Sequence, residues 1–386
     1  MTLTLSYRSS RMIQSEIRNM SIECERVNGI NLSQGVCDLE LPLPVRMGAT
    51  EAIAGGINHY TRYDGLPELR ESISSKMLRY NKISADPEKN IVVSGGATGA
   101  FYCACLALLN PGDEVILFEP YYGYHVNTLL AANAVPVYVT LEPPTWSIDF
   151  DALERLVSSH TKGMMINTPA NPSGKVFGRD ELDQLAEFAI RHDLFVFTDE
   201  IYEYFVYDNS VHVSPGALES IADRTITISG YSKTFSITGW RIGYAVCHEK
   251  WAQMIGYVND LIYVCGPAPL QMGVARGIDE LPASYYQSLC QQYSSKRDKL
   301  CSVLTRIGLE PYPPQGAYYI LSNVNNLPGS SSKEKAMFLL NHSGVAAVPG
   351  NAFYADAKGE NLVRFCFAKD DDIVEEACQR LLQFSF

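Results

Sequence analysis

The 386-residue chain is short of positive charge: 31 lysines and arginines face 43 aspartates and glutamates, a formal net charge of −12. Nucleic-acid backbones are bound by concentrated basic surface. The sequence has no such stretch, so no nucleic-acid partner is expected. No apolar run reaches the roughly 20 residues that span a bilayer, and no membrane association is expected. Met1 to Arg8 lacks the basic-then-apolar pattern of a secretory leader. The ten cysteines are scattered. Cys103 and Cys105 lie close together, but there is no Cys-x-x-Cys and no Cys/His cluster of zinc-binding spacing, so no metal site is expected. Reduced core thiols in a soluble cytoplasmic protein are the expectation. Internal repeats and low-complexity tracts are also missing, and Ser330 to Ser332 is only a short loop. What is present, 46% hydrophobic and 19% charged residues, suits a globular enzyme with two domains.

Between about residues 90 and 245, short β-branched or aromatic runs alternate with helical stretches. The runs lie at 91–93, 115–118, 135–139, 164–167, 195–198 and 225–229, and helices are expected over 96–109, 123–132 and 179–192. This rhythm predicts an α/β fold with a mostly parallel sheet flanked by helices. Ligands of such sheets collect beyond the carboxyl ends of the strands. After about residue 285 the pattern changes to a long charged helix, an extended stretch at Gly316–Leu321 and a last strand at Leu362–Phe367. The expected division is a large domain over 45–285 and a smaller α+β domain from 1–44 and 286–386.

The most informative segment runs from Ser229 to Tyr244. It sets Lys233 in a small-residue turn and Arg241 two turns further along. A lysine beside small residues can lose its proton and form a Schiff base with an aldehyde cofactor such as pyridoxal phosphate. Arg241 can then hold a phosphate by its planar fork of donors; the alternative is a loop lysine with a surface arginine. At Ser94 to Ala100 a strand passes into a helix through small residues, which opens backbone N–H groups to an anion or merely allows close packing. Asp199 ends a buried strand, where a carboxylate needs a partner. A protonated pyridine nitrogen would serve, as would the role of helix cap. Tyr202 can donate to a phenolic oxygen or pack as a half-buried ring. Asn171 to Gly174 reads as a turn.

Together these residues resemble the class I/II aminotransferases, a family of fold-type I pyridoxal-phosphate enzymes, over essentially the whole chain. The family signature around its cofactor lysine is similar to Ser232-Lys233 through Gly239-Trp240-Arg241. The resemblance implies Lys233 as the internal-aldimine lysine and general base, Arg241 and Ser232 as phosphate ligands, and Gly96, Ala97 and Thr98 as the phosphate cradle. It further implies Asp199 on the pyridine nitrogen, Asn171 and Tyr202 on the phenolic oxygen, and Tyr122 stacked on the ring, with Tyr121 next to it. The stretch from His59 to Arg70 implies a homodimer in which Tyr60 reaches the neighbouring subunit's phosphate. Arg364 is implied as the grip on the substrate α-carboxylate, with Gly35 supplying backbone donors. The implied activity is ping-pong transamination between an L-amino acid and a 2-oxo acid. A carbon–sulfur β-lyase on the same scaffold is the alternative, and a non-catalytic cofactor-sensing regulator a remoter one. Three departures stand out. Gly230 replaces a serine that often binds phosphate, leaving Ser229 or Ser232 to substitute. Gly35-Val-Cys37-Asp38-Leu39 replaces a Gly-x-Pro-Asp-Phe pattern. Thr98 stands where one aspartate-using branch has lysine.

Overall fold

The computed structural model describes residues 3–12 and 14–384. Its main sheet contains seven strands: β1 Ile91–Gly95, β2 Glu114–Glu119, β3 Val135–Thr140, β4 Thr161–Asn167, β5 Phe195–Asp199, β6 Thr225–Gly230 and β7 Ile242–Val246. They lie in the order β1-β7-β6-β5-β4-β2-β3. All neighbours are parallel except β7, which runs antiparallel to β1 and β6. The sheet's continuous apolar runs follow from helices covering both faces. Ile116, Met164 and Val196 face one buried cluster, and Val115, Leu117 and Ile226 face another.

The helices after the strands form where expected. They include α1 Gly96–Leu108, α2 Gly123–Ala131 and α3 Arg179–Arg191. In α3, Leu182, Leu185, Ala186 and Ala189 recur at helical spacing and are buried. At its start the Glu181 carboxylate accepts the Gly178 N–H (3.2 Å) and pairs with Lys175 (2.7 Å).

Strand β7 was not anticipated. Lys233 to Arg241 is not two regular helical turns but a series of tight turns ending in a short 3-10 segment, Thr238–Trp240. Arg241 then adopts a left-handed conformation (φ 56°) and the chain re-enters the sheet. A five-residue apolar strand buried on both faces has no alternation to distinguish it from a helical segment.

A second sheet is antiparallel, with β8 Glu310–Tyr312, β9 Tyr319–Asn323, β10 Val348–Pro349 and β11 Leu362–Cys366 in the order β10-β11-β9-β8. The extended stretch begins later than expected, because Ala317 turns through a left-handed conformation (φ 59°) before β9. The amino-terminal segment joins this region: Ile30–Asn31 pairs in parallel with Val345–Ala346. Helices Ala283–Arg306 and Asp371–Gln383 pack together beside it. Among the described residues, no helix is long and apolar enough to cross a membrane.

Candidate active site

The carboxyl ends of the parallel strands meet at a cavity of about 400 Å³. Ala97 and Thr98 enter from the first turn of α1, Tyr122 from beyond β2, Asn171 from beyond β4, Asp199 from the end of β5, Tyr202 from the turn after it, and Ser232, Lys233 and Arg241 from beyond β6. Nine of the expected residues therefore share one cleft, as strand-end positions in a parallel sheet should. Gly35, Gly96 and Arg364 do not line it, Arg364 lying one hydrogen bond behind Asn171, and Tyr60 stands outside, 84% exposed.

Lys233 is part-buried, and its Nζ donates to the Gly35 carbonyl (3.1 Å). Burial pushes its ammonium below the ordinary lysine range, with the Arg241 charge adding to the fall and Cys37, Cys366 and Asp199 opposing it. A lysine so placed loses its proton more readily, as a nucleophile or base must. Gly35 thus presents a backbone acceptor to Lys233. The same carbonyl accepts from Tyr318 Oη (3.3 Å), and the Cys37 thiol donates to that hydroxyl (3.4 Å), so the departing Cys37 helps hold the loop.

Arg241 donates to Thr238 O (3.0 Å) and Gly95 O (3.4 Å). Gly96 has φ +82°, and a Cβ there would collide with Arg241 Nη2. Only glycine lets the guanidinium settle on the β1–α1 turn. The guanidinium and the positive end of the 13-residue helix α1 then share one corner, an arrangement suited to a phosphate. Of the two candidate serines, Ser232 lines the cleft. Ser229 is turned away, donating to Glu200 O (3.3 Å) and Glu203 Oε1 (3.0 Å).

Asp199 is buried, with Oδ1 accepting the Ile201 N–H (3.2 Å) and Oδ2 lying 2.8 Å from His125 Nε2. It caps no helix, since turns follow it. His125 escaped the sequence reading, although its place three residues beyond Tyr122 on α2 puts both on one face. Asn167 escaped it too. It lines the cleft at the end of β4, accepts the Asn171 N–H (2.8 Å) and donates to Asp199 O (2.9 Å); its strand-end position was the available signal.

The turn after Asp199 is pinned from behind by buried charge. Glu203 Oε1 pairs with Lys76 Nζ at 2.5 Å, and Oε2 accepts from Asn81 (2.8 Å). Glu200 accepts from Thr198 (2.7 Å), Ser214 (2.9 Å) and His212 (2.9 Å). The ligand atoms of Glu200, Glu203 and His212 lie within 4.8 Å of one another, as metal ligands do. Both carboxylates are already satisfied by protein donors, so the cluster serves as an anchor.

Arg364 sits on β11, flanked on both sides by strands and 0% exposed. It is therefore no solvated edge residue. Its guanidinium lies between Tyr319 (4.2 Å) and Phe353 (5.0 Å). It donates to Asn171 Oδ1 (2.8 Å) and Ser33 O (2.6 Å), while its buried Nε has no partner. Tyr319 Oη lies 2.9 Å from Tyr202 Oη, and a Cβ on Gly35 would collide with that Tyr319 hydroxyl. Tyr319 thus joins the amino-terminal loop, the main-sheet rim and the small sheet.

The family described as aminotransferase class I and II matches residues 27–381. The chain belongs to this family. It is 34% identical over 382 residues to an aspartate aminotransferase of Pyrococcus abyssi, covering 98% of this chain and 97% of the relative. Among solved structures, N-succinyldiaminopimelate aminotransferase from Mycobacterium tuberculosis superposes with a TM-score of 0.94 at 35% identity, over 99% of this chain and 100% of that one. YbdL from Escherichia coli, described with a methionine aminotransferase function, gives a TM-score of 0.95 at 30% identity over 99% and 100%. The chain is a fold-type I, pyridoxal-phosphate-dependent aminotransferase. Its residues fit the cofactor: a lysine with a lowered ammonium pKa, a glycine-cradled arginine at a helix amino terminus and a buried aspartate occupy one cleft.

Proposed function

We propose that Lys233 Nζ holds the cofactor's aldehyde, that Arg241, Ser232 and the Gly96–Thr98 turn hold its phosphate, and that Tyr122 covers its ring. Asp199, oriented by His125, faces the pyridine nitrogen, while Asn171 and Tyr202 face the phenolic oxygen. Bound pyridoxal phosphate supplies an electron sink and stores the amino group between half-reactions. The protein does the rest. Arg364 binds the substrate carboxylate, Asn171 fixes the angle of that guanidinium, and Lys233 Nζ, once free, takes the α-proton and returns it. The observation that carries this reading is the meeting in one cleft of Lys233, with its lowered ammonium pKa, and the glycine-cradled Arg241.

The donor is an L-amino acid and the acceptor a 2-oxo acid, with glutamate and 2-oxoglutarate a fitting second pair. The named relatives differ in the amino acid in their names, so they do not decide the donor. A second copy is proposed to cover the apolar surface around Tyr257 and Leu261, which are 50% and 85% exposed, and to receive Tyr60 at its own cleft. Ten unpaired cysteines suit a reducing cytoplasm. Boundaries near residues 45 and 285 remain the proposed domain division.

Adding L-amino acids one at a time to the loaded protein, with no oxo acid, tests the reading. The expected result is conversion of the cofactor's aldehyde absorption to its amine form with one equivalent of oxo acid. Lys233→Ala should slow this by several orders of magnitude. Near-normal conversion in that variant overturns the assignment, and ammonia with pyruvate from cysteine conjugates favours elimination instead.

A further inference from the structure

A second cavity, of about 500 Å³, adjoins the Lys233 cleft and shares Tyr122 and Tyr124 with it. We propose that this cavity receives the substrate side chain and makes the enzyme selective for amino acids with an aromatic side chain. The inference rests on the site reading above, which places the substrate amine at Lys233 and its carboxylate at Arg364.

Continuity is the first support. Phe353 lines the cavity and its ring also packs on the Arg364 guanidinium at 5.0 Å, so the carboxylate grip and the cavity share a wall. A side chain leaving the cleft past Tyr122 enters a space also bounded by Tyr121, Tyr354 and Ile17. Tyr122 and Tyr124 are stacked with ring centres 5.2 Å apart, which presents a flat aromatic face. Such walls favour an aromatic guest through both apolar burial and ring packing.

Charge is the second support. Within the described residues of one chain, a short dicarboxylic substrate finds no free buried cation for its second carboxylate. The basic residues lining the Lys233 cleft are Lys233 and Arg241, which the cofactor engages. The outer cavity adds Arg18, which is exposed, and Glu16, whose Oε1 pairs with Lys333 at 3.2 Å while its buried Oε2 has no partner and would repel a second carboxylate. An exposed cation stabilises a carboxylate weakly. Burial also pushes the Tyr121 and Tyr354 hydroxyls up, keeping those walls neutral.

The test compares phenylalanine, tyrosine, aspartate and alanine in single-turnover half-reactions of the loaded enzyme, alongside binding of unreactive 3-phenylpropionate, propionate and succinate by competition. Since one methylene in a hydrophobic pocket changes kcat/KM by roughly 10–200-fold, phenylalanine should exceed alanine and aspartate by at least about 100-fold. Ile17→Ala and Tyr354→Ala should each lower the phenylalanine-to-alanine ratio about tenfold or more, and Tyr354→Phe should preserve it. Aspartate or alanine preferred over phenylalanine overturns the proposal. If no amino acid reacts, the reading of the Lys233 site fails. The binding arm then decides alone: 3-phenylpropionate binding more tightly than propionate and succinate supports the aromatic cavity, and equal or weaker binding overturns it.

Discussion

The main-sheet rim that forms the cleft and the small-sheet wall behind it are built differently. On the main-sheet side each functional residue stands within a few positions of a strand end: Thr98 after β1, Tyr122 after β2, Asn171 after β4, Tyr202 after β5 and Lys233 after β6. On the small-sheet side Arg364 lies within a strand, and its partners come from four places far apart in sequence: Ser33, Asn171, Tyr319 and Phe353. The first side uses a topology that delivers its residues to one rim. The second uses packing, with aromatic rings and backbone carbonyls holding a buried cation where an anion can meet it. The cofactor is proposed to belong to the first side and the substrate to the second.

Three changes sharpen that contrast. The largest effect is expected for Lys76→Met. Lys76 and Glu203 are each 1% exposed and paired at 2.5 Å. Breaking one partner of such a pair costs about 3–5 kcal/mol. Denaturant unfolding should show this loss, and adding Glu203→Leu should recover part of it. An unchanged midpoint would mean that the rim does not depend on its buried anchor. Next comes Arg364→Ala. Loss of one partner from a buried, hydrogen-bonded charge pair costs about 2–5 kcal/mol, so kcat/KM for the amino acid should fall roughly thirtyfold to several thousandfold. Cofactor uptake, followed by absorbance, should change little. An equal loss of both would dissolve the proposed division of labour.

The smallest effect concerns pH. Burial holds the Lys233 ammonium below its ordinary range in the fold, so the unfolded chain binds the extra proton to higher pH. Stability of the cofactor-free protein should therefore rise with pH from the lowered value toward the ordinary lysine value. Lys233→Met should lack this component. Buried thiols act in the opposite sense: Cys103 is pushed up to about 11 and Cys247 to about 12. The difference between wild-type and variant melting curves isolates Lys233, and parallel curves would deny the lowering.

The main-sheet side was legible because its signals are local. Lys233, Asp199 and the Gly96 turn each pair a strand end with a small or charged residue, and the family resemblance rests on the same short stretches. β7 was missed because Ile242–Val246 is apolar throughout and carries no period. Ser229 and Ser232 could not be told apart by sequence, since which hydroxyl faces the cleft depends on the turn between them. That the Gly35 carbonyl meets Lys233 and Tyr318 could not be read from sequence, since both donors lie about 200 residues or more along the chain. His125 and Asn167 carried only the weak signal of position.

The sequence by itself determined the α/β alternation, the family and most of the cleft's main-sheet residues, because strand-end chemistry depends on neighbours a few positions away. Tertiary structure alone decided the burial of Arg364, the bridge from Tyr319 to Tyr202 and the aromatic cavity between residues 14–18 and 351–354. Each of these depends on distances between segments hundreds of residues apart, and such distances are set by how the two sheets pack rather than by any local pattern.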